Sequence, residues 1–231
     1  MSIARTFQAL EIYDILTNLV PGGILLLSVS VVIKIEEYVS FQNSGISIGI
    51  SLIAAFVLGH VIQAIASQLN GTPTLFGRIV RSSKGEDVDD LSVRITHIEE
   101  SLWPMVKRKF SLPEDFDDYG ALMRLLISHL ETIPATRALR FQALFSFHRS
   151  MWAVSMIVAG LVMVGVFLKC LGIVAVRSYL ILVVTAIGSL MSILIFRSRK
   201  EKFNRLFVQY TIVDFYSDQI DEVSRLKRPA E

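Results

Sequence analysis

The sequence predicts an all-α integral membrane protein with four transmembrane helices arranged in two pairs. Hydrophobic residues make up 52% of the chain and charged residues only 19%, against about 25% charged residues in a typical soluble domain. The apolar residues concentrate in four segments, and about 20 helical residues are enough to cross a bilayer core of roughly 30 Å. Charged residues concentrate between the second and third segments and after the fourth. This distribution predicts a helical cytoplasmic connector and a cytoplasmic C-terminal helix.

The N-terminal residues 1–18 are predicted to form a cytoplasmic or interfacial helix. Ile3, Phe7 and Leu10 recur there at near-helical spacing on an otherwise polar segment. The first transmembrane helix is placed at residues 19–35. Pro21 lies near its start, where proline costs no helical hydrogen bond, so the helix is expected to begin there. If the preceding helix runs through instead, Pro21 marks a kink.

The second transmembrane helix, residues 46–69, completes the membrane region 19–69 and contains no Asp, Glu, Lys or Arg. Small residues recur in it at every fourth position, which places them on one helical face. Such faces let transmembrane helices approach closely in lipid. The face therefore predicts a helix packing seam, proposed here as the contact between copies of the chain, made by Ser47, Ser51, Ala55 and Gly59.

A polar pair, His60 and Gln63, lies on adjacent turns of the same helix. Polar side chains inside a bundle either hydrogen-bond a neighbouring helix or line a path for ions or protons. Both interpretations stay open at this point. The four apolar segments contain no acidic residue, which argues against a proton-coupled or cation-coupled transporter.

Residues 70–150 form the predicted cytoplasmic helical connector, in which basic and acidic residues occur in equal number. The hydrophobic spacing predicts helices at 88–103, from Tyr119 to Glu131, and at 135–150. Nothing separates the last of these from the third apolar segment, so 135–168 is also consistent with one long helix. The connector is large enough for a small subdomain but has few core residues for one that stands alone.

Three arginines, Arg137, Arg140 and Arg149, are the densest basic feature of the connector. Arginines at the end of a transmembrane helix commonly contact lipid headgroups or pair with acids. We predict that these three contact a cytosolic partner or headgroups; phosphate or other ligand binding is the alternative. The acidic residues suggested as ion-pair partners are Glu11, Asp14 and Glu131.

The third and fourth transmembrane helices are placed at 151–168 and 178–196, within the membrane region 151–196. The tail, residues 197–231, begins with a basic run and continues with Phe203, Phe207 and Tyr210 at helical spacing. This spacing predicts that the fourth helix continues into the cytoplasm.

The basic residues define a predicted orientation in the cell inner membrane. Of the 23 Lys and Arg residues, all but Lys34, Lys169 and Arg177 lie in the N-terminal segment, the connector or the tail. Cytoplasmic segments of membrane proteins carry an excess of Lys and Arg. The N- and C-termini and the connector are therefore predicted to be cytoplasmic.

Several classes of function find little support in the residues. The chain has one cysteine, Cys170, which excludes internal disulfides and Cys-x-x-Cys zinc sites. His97 and His129 lack metal-ligand spacing with acidic residues, and no calcium loop follows the acidic run that begins at Glu86. We predict no catalytic residue, no metal and no cofactor. A net charge of +2 is too small to indicate nucleic acid.

Three short motifs resemble those of small prokaryotic four-span inner-membrane proteins. They are Tyr13-Asp14 with Val20-Pro21-Gly22, Gly59-His60 with Gln63-Ala64, and Arg140-Phe141 with Arg149-Ser150 ahead of an apolar segment. Proteins of this kind are largely uncharacterised, and some are encoded beside anti-phage defence genes. The resemblance implies a defence-associated membrane component, and it assigns no functional residue.

The sequence thus favours a non-enzymatic membrane component that sits in the lipid bilayer, forms a homo-oligomer and docks a cytosolic protein partner. In a defence setting it would sense, depolarise or open the membrane. One alternative is a small ion channel or transporter with His60 and Gln63 on its path. A second alternative is a membrane enzyme that acts on lipid or a nucleotide.

Overall fold

The computed structural model describes residues 15–32, 44–69, 74–86, 97–133, 136–172 and 178–226. These residues form helices joined by short turns, and no β-strand occurs among them. Parts of several predictions lie outside the described residues: most of the N-terminal helix, the start of the helix at 88–103, and the end of the tail.

A π-helical turn, Ile15–Leu19, leads directly into the first α-helix, so Pro21 lies within the first α-helical turn. The described residues contain eight α-helices: α1 (Val20–Val32), α2 (Ser44–Leu69), α3 (Thr74–Ser83), α4 (His97–Glu100), α5 (Leu102–Phe110), α6 (Tyr119–Glu131), α7 (Arg137–Cys170) and α8 (Tyr179–Leu226).

Four helical segments are long and apolar enough to cross a membrane: Ile15–Val32, Ser47–Leu69, Arg137–Cys170 and Tyr179–Ile220. This finding confirms the predicted all-helical fold class and the presence of four helices able to span a membrane, and it supports a multi-pass membrane protein. The helix expected at 135–150 and the third transmembrane helix are one continuous helix, α7. Likewise, α8 continues from the fourth apolar segment well into the tail.

The chain divides into two compact units that do not follow the linear order of the predicted regions. Unit 1 consists of Met1–Asn70 and Ala143–Lys202, and unit 2 consists of Gly71–Gln142 and Phe203–Glu231. The tail helix therefore belongs with the connector, because its apolar face packs against connector helices. Both α7 and α8 contribute residues to each unit.

Unit 1 holds the four apolar segments, which share a hydrophobic core. One cluster joins α2 and α7 through Ile62, Ala66, Val154 and Val158, with Ile24 of α1 and Phe196 of α8 packed against it. A second cluster joins α1, α7 and α8 through Val32, Val162 and Leu182. Many other large apolar side chains of unit 1 are exposed, as expected for helices that face lipid.

Unit 2 is built from amphipathic helices whose apolar faces are buried together. Asp118 caps the start of α6, where its Oδ1 accepts a hydrogen bond from the backbone N–H of Ala121 at 2.8 Å. The ammonium of Lys84 lies 4.2 Å from the centre of the Trp103 ring. The largest fully buried side chains of this unit are Phe76, Ile79, Val80, Leu102, Leu122, Leu126, Leu130, Ile212 and Phe215.

Candidate functional site

The small-residue face of α2 packs, in part, against the start of the first apolar segment. A Cβ at Gly59 would overlap the backbone carbonyl of Asn18, and a Cβ at Gly22 would overlap the backbone carbonyl of Ala55. Only glycine lets the two backbones approach this closely. Ala55 and Gly59, two members of the predicted seam, are therefore buried within the chain.

The other two members of the seam lie nearer the start of α2. Ser51 is exposed and Ser47 is half-buried. The structure thus divides the seam into an inner half, which contacts the first apolar segment, and an outer half at Ser47 and Ser51. Any contact between copies that uses this face falls on the outer half.

The polar pair of α2 is split between two environments. His60 is exposed, and its Nδ1 lies 3.0 Å from the carbonyl oxygen of Phe56, the separation of a hydrogen bond in which the ring N–H donates. The His60 ring also meets the Phe56 ring edge-to-face, with ring centres 4.5 Å apart. Gln63 is half-buried. The side chain of His60 therefore points away from the core of unit 1.

Arg137 is bound to Asp214, a residue of α8 that the sequence interpretation did not select. The Arg137 Nε lies 3.5 Å from Asp214 Oδ1. Asp214 Oδ2 also accepts hydrogen bonds from the backbone N–H groups of Arg137 and Ala138, at 2.7 and 2.9 Å. These N–H groups have no acceptor within their own helix, and a carboxylate at a helix start also complements the helix dipole. Asp214 is thus a cap for α7 supplied by another helix.

Aromatic rings extend this contact along α8. The Phe141 ring stacks on the Tyr210 ring with centres 4.7 Å apart, and the Arg137 guanidinium lies 4.8 Å from the centre of the same ring. We name the set Arg137, Phe141, Tyr210 and Asp214 the α7–α8 clamp. Charge, hydrogen bonds and stacking all act at this one place, so it fixes the register of the two helices in unit 2.

A second polar contact joins α6 to α8. His129 Nε2 lies 2.9 Å from Asp218 Oδ2, and the His129 ring meets the Phe215 ring edge-to-face at 5.7 Å. The Phe110 ring of α5 stacks on Phe215 at 6.1 Å. The tail helix is therefore held in unit 2 by polar as well as apolar contacts.

The three predicted arginines are divided between the two units. Arg137 belongs to the clamp, Arg140 is exposed in unit 2, and Arg149 lies in unit 1 with its guanidinium 5.4 Å from the centre of the Phe145 ring. Of the suggested acidic partners, Glu131 is exposed, while Glu11 and Asp14 lie outside the described residues. The observed partner of Arg137, Asp214, is separated from it by 77 positions.

Two lysine–aromatic contacts lie at opposite ends of the apolar parts of α7 and α8. The Lys200 ammonium is 4.1 Å from the centre of the Trp152 ring, and the Lys169 ammonium is 4.1 Å from the centre of the Tyr179 ring. On α7, Trp152 and Lys169 are about 17 residues apart, or about 26 Å at 1.5 Å per residue. Trp and Tyr are enriched at both membrane–water interfaces. This spacing fits one contact at each interface of a roughly 30 Å bilayer core.

The end marked by Trp152 is crowded with basic groups. Lys200 follows the apolar residues 178–196 of α8, and the guanidinium groups of Arg197 and Arg149 lie close enough to its ammonium to interact with it. Glu201 also contacts Arg197, with an N–O distance of 3.6 Å. These cations therefore lie close enough to one another to interact by repulsion.

The described His, Cys, Asp and Glu side chains form no metal centre. Among the described residues, no group of three or more His, Cys, Asp or Glu side chains is placed to hold a metal ion. His97 lies on the surface beside Glu100, with an N–O distance of 3.1 Å. Cys170 is exposed at the end of α7.

No protein-family model, curated protein or solved structure matches this chain. The functional proposals below therefore rest on the chain's own residues and contacts.

The sequence interpretation missed the clamp and the second polar contact, although one signal was visible. Tyr210, Asp214 and Asp218 recur at every fourth position, so they lie on one face of a helix. Two acids and a tyrosine on the face of an otherwise aromatic tail helix indicate a surface that contacts polar partners. The spacing does not identify those partners, because they lie far away in the chain.

Proposed function

We propose that this protein is a non-enzymatic, multi-pass component of the cell inner membrane that self-associates and couples the membrane to a cytosolic protein partner. Unit 2 is the proposed cytosolic docking unit, and unit 1 is the proposed membrane unit. One observation carries the coupling part of the proposal. Two uninterrupted helices, α7 and α8, each supply residues to both units.

A continuous helix is a suitable element for coupling, because its hydrogen-bonded backbone moves as a unit. Switching proteins commonly use shifts of one packed helix along another. The α7–α8 clamp supplies a defined register for such a shift, because the Asp214 carboxylate contacts the first N–H groups of α7. A partner that binds unit 2 and favours a different register would displace α7. Such a partner acts only to the extent that it binds the two registers with different affinity.

The resemblance noted in the sequence extends this proposal to anti-phage defence, with membrane sensing or membrane damage as the output. This extension predicts a neighbouring gene for a nuclease or a nucleotide-signalling enzyme, which would be the source of the cytosolic partner or trigger.

The coupling is tested by loosening the clamp and observing the far end of α7. Cys170, the single cysteine, lies at that end, about 33 residues or roughly 50 Å along the helix from Arg137. An environment-sensitive fluorophore is attached to Cys170 in full-length protein reconstituted in nanodiscs. Asp214→Ala removes the cap of α7, so we expect a shift in the emission of the Cys170 label.

The matched control is Asp118→Ala, which removes the cap of α6 in the same unit but touches neither long helix. We expect no emission shift for this variant. A label that is unaffected by Asp214→Ala, or equally affected by both variants, would contradict coupling through α7.

A further inference from the structure

The start of α7 has two residues of capping type beside it, and the structure uses one of them. Asp214 Oδ2 of α8 accepts hydrogen bonds from the backbone N–H groups of Arg137 and Ala138, at 2.7 and 2.9 Å. Thr136 directly precedes the first residue of α7. From that position a threonine hydroxyl commonly accepts a hydrogen bond from the second or third N–H of the helix. The N–H of Ala138, the second of α7, is therefore a target that Asp214 and Thr136 share.

The hydroxyl of Thr136 is buried and does not cap the helix. Thr136 is 8% exposed, and its Oγ1 has no hydrogen-bond partner among the described residues. A buried hydroxyl without a partner has lost its hydrogen bonds to water and gained none in return, which is unfavourable. A valine would fill nearly the same volume without that cost. Packing alone therefore does not account for a hydroxyl at position 136.

A shift of α8 along α7 would give this hydroxyl a partner. When the Asp214 carboxylate leaves, the N–H groups of Arg137 and Ala138 lose their acceptor, and no carbonyl of their own helix can replace it. The Thr136 hydroxyl can replace the carboxylate at the second or third N–H by rotation of its own side chain. This exchange satisfies the hydroxyl as well as the N–H group, so it recovers part of the free energy that is lost with Asp214.

We propose that Thr136 is an alternative cap of α7, which takes over from Asp214 when the tail part of α8 moves. The exchange brings the two arrangements of α7 and α8 closer in free energy, as a helix shift that acts as a switch requires. The proposal rests on the proposed coupling for its functional meaning, because it describes the start of α7 in the second register. Its test measures only the start of α7, so the two proposals fail separately.

Hydrogen–deuterium exchange of the full-length protein in nanodiscs, resolved to single amides by mass spectrometry, measures the protection of Ala138 and Leu139, the second and third residues of α7. We expect Thr136→Val alone to change their exchange rates less than about twofold, because the hydroxyl it removes is not bonded. In the Asp214→Ala background, Thr136→Val is expected to make this exchange about fivefold faster, the factor typical of losing a threonine cap.

Two further variants in the Asp214→Ala background serve as controls. Thr136→Ser keeps a hydroxyl at the capping position, so we expect it to preserve the protection of Ala138 and Leu139, which separates loss of the hydroxyl from misfolding. The matched control is Thr132→Val, which removes a hydroxyl that donates to the carbonyl oxygen of His129 at the end of α6. We expect it to leave the exchange at Ala138 and Leu139 unchanged.

Two outcomes would overturn the proposal. One is an exchange rate that Thr136→Val leaves unchanged in the Asp214→Ala background, because the hydroxyl then never caps α7. The other is an equal increase in both backgrounds, because Thr136 then acts whether or not Asp214 is present. An increase confined to the Asp214→Ala background, with unchanged emission of the Cys170 label, would support the alternative cap and contradict coupling through α7.

Discussion

At the scale of single residues, two glycines determine how closely the first two apolar segments pack. Gly22 faces the backbone of Ala55, and Gly59 faces the backbone of Asn18. In lipid, burial of apolar surface gives little net attraction between helices, so close backbone approach and dispersion contacts supply much of the stability. A methyl group at either glycine would push the two backbones apart.

We expect Gly59→Ala to lower the free energy of unfolding in mild detergent by about 2 kcal/mol, because the added methyl group overpacks a backbone contact. Unfolding in increasing dodecyl sulfate, followed by circular dichroism, measures the change. The matched control is Gly49→Ala on the same helix, where an added Cβ meets nothing within 4 Å. If the two variants have the same free energy of unfolding, the close approach of the Gly59 and Asn18 backbones is incorrect.

The sequence allowed the small-residue face of α2 to be predicted, but not the segments that pack against this face. A spacing of four identifies a face from a single helix. Which segment covers Gly59 depends on Asn18, which precedes Pro21 and was included in the predicted cytoplasmic or interfacial helix 1–18. Asp214 shows the same limit. Its spacing from Tyr210 predicts the helix face on which it lies, but its partner Arg137 could not be predicted because it is 77 positions away in the chain.

At the scale of the helices, α2 presents more than one face. Its inner face is covered by the first apolar segment and by α7, while Ser51 is exposed beside Ala55. If copies of the chain self-associate through the outer half of the seam, a large side chain at Ser51 would block that contact. The covered half, at Ala55 and Gly59, would be unaffected.

We therefore expect Ser51→Leu to shift the assembly in mild detergent toward smaller species, as measured by native mass spectrometry. Ser67→Leu is the control, because Ser67 is also an exposed serine of α2 but lies on a different side of the helix. The proposed seam is incorrect if Ser51→Leu leaves the distribution of assembly masses unchanged.

The long helices were predictable in part. Continuous apolar runs predict transmembrane helices well, because in lipid every backbone group must be satisfied within the segment. The segments 135–150 and 151–168 lack a stop signal, which made one helix a natural interpretation, and α7 is that helix. Ion pairs and ring stacks between α6 and α8 were not predictable, because they join residues such as His129 and Asp218, 89 positions apart.

At the scale of the whole molecule, each unit is assembled from two separate stretches of chain. Unit 1 takes the apolar halves of α7 and α8, and unit 2 takes their remaining parts together with the connector helices. The proposed function requires that unit 2 and the chain termini lie in the cytoplasm. It also requires that the turn between α7 and α8, next to Cys170, lies on the opposite side of the membrane.

Cysteine accessibility tests this arrangement most directly. Spheroplasts that express the full-length protein are treated with a membrane-impermeant maleimide before and after lysis, and labelling of Cys170 is compared with that of Ser217→Cys in a Cys170→Ser background. Ser217 is exposed in unit 2. We predict that Cys170 is labelled in intact spheroplasts, whereas the cysteine at position 217 is labelled only after lysis. Labelling of position 217 in intact spheroplasts, with Cys170 protected, would contradict the proposed orientation and a cytosolic partner for unit 2.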